Sequence, residues 1–258
     1  APQWVGQQVA PAHRVGGVEP DAQLAAQGVD AAHLGAARLD RIEHPRDDHS
    51  ALVWGRGAGS APLGFREVDL QGGVRGAPRT GGLIWQMDLS RRSVSDSLLS
   101  YAGAFDPALG ANWGGVMRTG GRIDLADDGG QYGLYTNGAF YALEGNNVQD
   151  NTQDEFGVGF YGRALERDNM RVTWGINATS FFYEHNLRYF TFGHGGYFSP
   201  QFYLSLGVPV EWVGRENLWS YRVSGSSGFA SFRDADAPYF PTRDPLRTAS
   251  PDPLRSEH

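Results

Sequence analysis

The chain has 258 residues, 36 of them Gly and 32 aromatic; it contains no Cys, and all 22 basic residues are Arg. Without Cys there is no disulfide framework, thiol nucleophile or Cys-ligated zinc, and a formal charge of −7 argues against phosphate-backbone binding, so no nucleic-acid partner is expected. No apolar run reaches the ~18 residues of a membrane-spanning helix, while Gly at about 14%, roughly twice its usual share, speaks against a helix bundle.

In chain order, residues 1–50 hold one aromatic, Trp4, and are rich in Ala, Gln, Gly and His. They are expected to be a weakly structured segment or the degraded start of a barrel, with a short Ala-rich run over 21–39 that suits a helix. Residues 51–232 hold 29 of the 32 aromatics. Here apolar and polar residues alternate with period two over 51–57, 65–74, 83–92, 117–125, 132–144, 156–165, 171–183, 201–212 and 218–229. In 83–92, Leu83, Trp85, Met87 and Leu89 alternate with Gln86, Asp88, Ser90 and Arg92. In 201–212, Phe202, Leu204, Leu206, Val208, Val210 and Trp212 form one unbroken apolar set. Such alternation marks a sheet with one apolar and one polar face. The barrel is expected over 51–235, followed over 236–258 by a Pro- and Arg-rich irregular tail.

A soluble sandwich has strands of about five or six residues. A membrane barrel has strands of about ten, an apolar outside and aromatics at the strand ends. The clearest runs have the second length, and Trp212 and Trp113 suit an aromatic girdle. Long connections over 94–112, 145–154 and 193–200 alternate with tight ones over 127–130 and 166–169, as in outer-membrane barrels. The predicted fold class is therefore all-β, an antiparallel transmembrane outer-membrane β-barrel. A non-pore glycan-binding β-sandwich is the alternative architecture.

With the apolar sets facing lipid, the opposite face carries Asp88, Arg92, Arg118, Arg122, Asp124, Tyr161, Arg163, Arg171, Asn177, Tyr203, Glu211 and Arg222. These residues either brace the wall by Arg–carboxylate pairing or offer dispersed donors, acceptors and rings to a passing glycan. The 192–199 stretch, with Gly195 and Gly196 after His194 and then Tyr197 and Phe198, reads equally as a gate or as a tight turn. His185 and His194 lack metal-ligand spacing, so neither metal nor cofactor is expected. His194, Ser199 and Asp150 or Asp154 supply the residue types of a lipid acyl hydrolase, the alternative activity. No Gly-x-Ser-x-Gly elbow accompanies them, so no catalytic residue is assigned and no enzyme is expected.

The run from Asn186 to Gln201, NLRYFTFGHGGYFSPQ, resembles the hallmark of the C-terminal barrel family of cellulose synthase operon protein C. Four more stretches match that family in order: 62–65 with 72–74, 90–94 (SRRSV) with 97–103 (SLLSYAG), 113–116 (WGGV) and 143–151 (LEGNNVQDN). These motifs bring Tyr101, Asn147, Asp150, Arg188, His194 and Tyr197 forward as gate or loop candidates. The resemblance implies a barrel of about sixteen strands in the bacterial outer membrane that passes β-1,4-glucan. Implied partners are the nascent cellulose chain, outer-membrane lipid, a periplasmic tetratricopeptide-repeat region and the inner-membrane cellulose synthase. Only about nine or ten strands are countable, too few for that barrel, so an incomplete one is expected.

Overall fold

The computed structural model describes residues 53–61, 69–77, 79–80, 83–243 and 253–254, so the N-terminal segment over 1–50 lies outside the described residues. Alternating sequence becomes long strands: β1 (Val53–Ala61), β2 (Asp69–Ala77), β4 (Leu83–Ser93), β6 (Ala111–Asp128), β7 (Tyr132–Asn146), β8 (Asn151–Arg167), β9 (Met170–Tyr183), β10 (Phe202–Glu216) and β11 (Trp219–Arg233). Two short pieces, β3 (Arg79–Thr80) and β5 (Ala104–Asp106), add to β4 and β6. Every pairing is antiparallel, and the long strands follow one another as neighbours in chain order. This is one continuous meander rather than two packed sheets, which sets the sandwich aside. The domain is all-β and barrel-like, but its sheet is not closed: β1 and β11 stand at the ends of the order.

Register fixes the faces. Asp88 lies opposite Arg122, which lies opposite Ala139, then Glu155, then Phe181 and Tyr203 in successive strands. One residue along, Leu89, Gly121 and Phe140 share the other face. The apolar face exposes its side chains fully: Leu70 is 78% exposed, Leu89 59%, Leu134 57%, Phe140 54% and Ile176 53%. Towards the end carrying the turns 129–131, 168–169 and 217–218, aromatics gather on that face. Tyr132, Phe160 and Trp174 touch in series, and Trp212 meets Tyr221 edge-on. At the opposite end Phe182 packs on Phe202.

The high Gly content has a structural use on the polar face, where tyrosines lie flat across glycines of the next strand. A Cβ on Gly159 would fall 2.1 Å from the Tyr135 ring. On Gly120 it would fall 2.0 Å from the Phe140 carbonyl oxygen, where no flexible atom can yield.

The connections at the other end differ from the sequence expectation in one place. The segment 145–154 is not a long loop: β7 and β8 are joined by 147–150 alone, with Asn147 in the left-handed region at φ 51°. The long connections are 94–110, which contains helix α1 (Leu98–Ala102), and 184–201. Ser97 starts α1 by accepting from the Ser100 amide at 3.1 Å, while Ser100 Oγ accepts from the Ser97 amide at 2.9 Å. Gly103, at φ 70°, ends it.

The two glycines of the β6–β7 pair give contrasting expectations. Gly120→Ala collides with backbone and is expected to lower stability by about 1–3 kcal/mol. Gly138, with its nearest foreign atom 3.9 Å from an added Cβ, is expected to accept Ala within about 0.5 kcal/mol. Urea unfolding midpoints of the two variants check this; equal midpoints would contradict the register.

Candidate functional site

All twelve polar-face candidates fall on a single face of the sheet: Asp88, Arg92, Arg118, Arg122, Asp124, Tyr161, Arg163, Arg171, Asn177, Tyr203, Glu211 and Arg222. Most of them form cross-strand pairs. Asp88 accepts from Arg75 of β2 at 3.2 Å and lies 3.9 Å from Arg92. Arg122 bridges Asp124 at 2.9 Å and Glu155 of β8. Arg163 holds both oxygens of Asp128, at 3.0 and 2.8 Å, the bidentate geometry that makes an Arg–carboxylate pair strong. Arg222 of β11 meets Glu211 of β10 at 3.3 Å. Between the pairs stand rings: Arg118 lies over Tyr141 at 4.5 Å, Tyr203 stacks on Phe181 at 4.2 Å, and Asn177 is hydrogen-bonded to Tyr135. The face thus alternates fixed charge pairs with aromatic plates, and its paired cations and anions leave no concentrated charge of one sign.

The sequence supplies both members of the Arg222–Glu211, Arg92–Asp88 and Arg122–Asp124 pairs but only one member of several others. Arg75, Asp128, Tyr141 and Glu155 were not singled out, although each sits at the correct alternate position. Glu155 precedes the recognised 156–165 run by one residue; its parity with Tyr161 gives its face, which the register to Ala139 bears out.

The best-packed part of the molecule is not the sheet but the end where the long connections meet. Tyr197, Phe192, Met117, Leu143, Leu187, His194 and Val116 are the largest fully buried side chains. The 184–201 loop folds over the ends of β6–β8 and places Leu187 and Tyr197 against Val116, Tyr141, Leu143 and Val148. The motifs recognised at 90–94, 97–103, 113–116, 143–151 and 186–201 converge here. Asn151 is their polar hub: its Nδ2 donates to the His185 carbonyl at 2.8 Å and to the Tyr197 hydroxyl at 3.0 Å, and its Oδ1 accepts from the His185 amide at 2.9 Å. Ser199 Oγ accepts from the Leu187 amide at 2.7 Å, and both Gly195 and Gly196 amides donate to the Leu187 carbonyl. Gly193, at φ 100°, lets the chain pass under Pro241, 2.9 Å from where a Cβ would stand.

Residues after β11 complete this end. Asp234 pairs with Arg188, the Ala235 carbonyl accepts from Asn186, and the Tyr239 carbonyl accepts from Thr191 at 2.7 Å. Phe240 and Arg243 close over Phe192. Trp113 corrects the girdle expectation: it is 7% exposed and 5.7 Å from Phe192, inside this core rather than at an outer rim. Of the other loop candidates, Tyr101 is half-buried on α1. Asn147 and Asp150 are exposed in the 147–150 turn, where Asn147 Nδ2 donates to the Asn112 carbonyl at 2.8 Å.

The hydrolase constellation is not assembled. His194 Nε2 is 2.9 Å from the Pro238 carbonyl, Ser199 Oγ is engaged by Leu187 and Tyr197, and both residues are fully buried. Asp150 and Asp154 are exposed. Among the described residues no group of three or more His, Asp or Glu is placed to hold a metal ion.

These features define a class: a barrel-type antiparallel sheet, polar and aromatic on one face, apolar on the other, with one end filled by its own loops. A family model described as "Cellulose synthase operon protein C C-terminus" matches residues 48–257, and the chain belongs to that family. Cellulose synthase operon protein C of Xanthomonas axonopodis pv. citri is 45% identical over 197 residues, 75% of this chain and 13% of that protein. The Pseudomonas fluorescens protein of the same name is 36% identical over 241 residues, 92% of this chain and 18% of its own length. Cellulose synthase 2 operon protein C of Komagataeibacter xylinus is 41% identical over 188 residues, 71% of this chain and 14% of its own. The chain thus spans less than a fifth of the length of these relatives. Membership ties it to the cellulose synthase operon.

Two outcomes follow for the loop core. Asn151→Ala leaves the Tyr197 hydroxyl and the His185 backbone without their partner and is expected to cost about 1–3 kcal/mol of loop stability. Hydrogen exchange over 185–199 reads this directly. His194 carries a pH dependence: burial holds its ring below the ordinary imidazole value, against the smaller opposing pull of the Pro238 carbonyl. The neutral ring belongs to the seated loop, and the unseated loop takes up its proton near about pH 6.5. Seating is therefore intact above that pH and weakens as pH falls below it. Protection over 192–196 is expected to drop below about pH 6.5 and to lose that dependence in His194→Gln.

Proposed function

We propose that this chain forms part of the wall of a channel that carries β-1,4-glucan across the bacterial outer membrane, as a non-catalytic component of cellulose export. The observation that carries this reading is the height of the apolar face. On β10 the outward residues run from Phe202 to Trp212 without a charge, ten residues or roughly 33 Å along the strand. At the ~40° tilt of barrel strands this is about 25 Å, the height of the apolar band of outer-membrane barrels. Aromatics stand at both limits, Phe182 and Phe202 at one and Trp174, Trp212 and Tyr221 at the other. So much exposed Leu, Val and Phe would associate in water, whereas lipid covers it.

The opposite face then lines the passage. A glucan presents apolar C–H surfaces ringed by hydroxyls, and transport needs contacts that are numerous and individually weak. Tyr135, half-buried on this face, offers a plate for the C–H surfaces, while Tyr141, Tyr161 and Tyr203 are buried beneath the lining and hold its shape. The charge pairs offer donors and acceptors whose demand is already largely met by one another, so no position binds deeply. Short turns at one end and long loops at the other match the periplasmic and outer sides of such barrels. The loop core thus closes the outer side, and the partners are the nascent glucan, outer-membrane lipid, the periplasmic repeat region and the inner-membrane synthase.

The full chain is expected to co-fractionate with outer-membrane lipid and to require detergent. In planar bilayers it is expected to give a conductance that cello-oligosaccharides reduce. A soluble monomer without detergent, with no conductance after reconstitution, overturns the proposal. Arg122→Ala strands Asp124 and Glu155 on the lining and is expected to increase cation preference while leaving insertion intact. Unchanged ion selectivity would remove that pair from the passage.

A further inference from the structure

The apolar face is not smooth. Between β1 and β7 it holds a groove of about 1150 Å³. Its floor is made of residues without bulk, Ala58, Gly72, Gly121 and Gly138, and its walls include Val74, Leu89 and Phe140. The five strands β1, β2, β4, β6 and β7 stand about 4.8 Å apart, so the groove extends roughly 19 Å across them. Gly138 is on the floor without being required by packing, since an added Cβ would touch nothing closer than 3.9 Å. The space is therefore free for something outside the chain.

One end of the groove is charged. Arg56 lies on this face opposite Val74, is exposed, and has no carboxylate partner among the described residues. Arg91, further along the same wall, already donates to Thr119 Oγ1 at 2.8 Å and lies 3.9 Å from Asp69 and 3.8 Å from Glu144. A guanidinium on a lipid-facing surface is costly unless it reaches an anion. In a bilayer the anion at hand is the headgroup phosphate, which matches the guanidinium fork.

We infer that this groove is a binding site for a phosphate-bearing membrane lipid, with an acyl chain lying over Gly72, Gly121 and Gly138 and its phosphate held by Arg56. This rests on the membrane reading above. The site is on the outside of the wall, so its occupant seals and steadies the sheet without entering the passage.

The full chain, reconstituted in nanodiscs of phosphatidylcholine containing phosphatidylglycerol and released into native mass spectrometry, tests it. The expected result is retention of one phosphatidylglycerol above its bulk proportion. Arg56→Gln is expected to reduce that retention about fivefold, the loss of one cation's attraction to anionic lipid. Gly138→Leu, whose Cβ meets nothing closer than 3.9 Å, puts bulk on the floor and is expected to reduce retention of either lipid. Phe229→Ala, on the same face but on β11, is expected to change nothing. Insertion with no preference for phosphatidylglycerol, or equal retention by Arg56→Gln and Gly138→Leu, overturns the lipid site while leaving the membrane wall standing. Failure to enter nanodiscs of either composition overturns the membrane reading and the lipid site with it.

Discussion

Side chains alternate across a strand, and a sheet can be oily on one face and ionic on the other only where the two faces meet different surroundings. Nearly every feature of this chain depends on keeping that separation over long strands. Arg is admitted to the polar face because a carboxylate or a ring meets it there, as Glu155 meets Arg122 and Tyr141 meets Arg118. Gly is abundant because tyrosine plates on that face need a flat neighbour to lie on, as Tyr135 does on Gly159. Neither arrangement tolerates a slip of one residue, which would exchange the two faces entirely.

A sheet of this kind has little core of its own, since both faces look away from the protein. The missing core is supplied at one end, where the 184–201 loop and the residues after β11 bury Phe192, His194 and Tyr197. The family's hallmark sequence is thus chiefly a packing device, built from a ring in a pocket, a shared Asn and glycines that let the chain turn back. Its buried aromatics, Phe192 and Tyr197, are structural anchors. Any movement of this loop has to unseat them together, because Asn151 ties Tyr197 to His185.

The sheet was readable from sequence because its signal is strictly local. All nine alternating runs became the nine long strands, with ends displaced by several residues at most of them. Faces were readable for the same reason: Asp88, Arg163 and Arg222 are assigned by parity alone. What parity does not supply is pairing, so Arg75, Asp128 and Glu155 stayed unseen until register joined them to their partners. The loop core was illegible for a different reason. Trp113 was read as a girdle residue and 145–154 as a long loop, yet burial of the one and brevity of the other are set by contacts with residues far along the chain. The short elements β3, β5 and α1 carry too few residues for any period to show.

Those distant contacts also impose an order on assembly. Asn186 bonds to Ala235, Arg188 pairs with Asp234, and Thr191 bonds to Tyr239. The strands can zip up from neighbour to neighbour, and the loop between β9 and β10 can already rest on β6–β8 through Leu187 and Tyr197, but the contacts of Asn186, Arg188 and Thr191 wait for the residues that follow β11. Each of these contacts closes a segment of 46 to 49 residues, a larger loop-closure cost than that of any hairpin in the sheet. Until they form, the loop is held from one side only, by the strand ends beneath it.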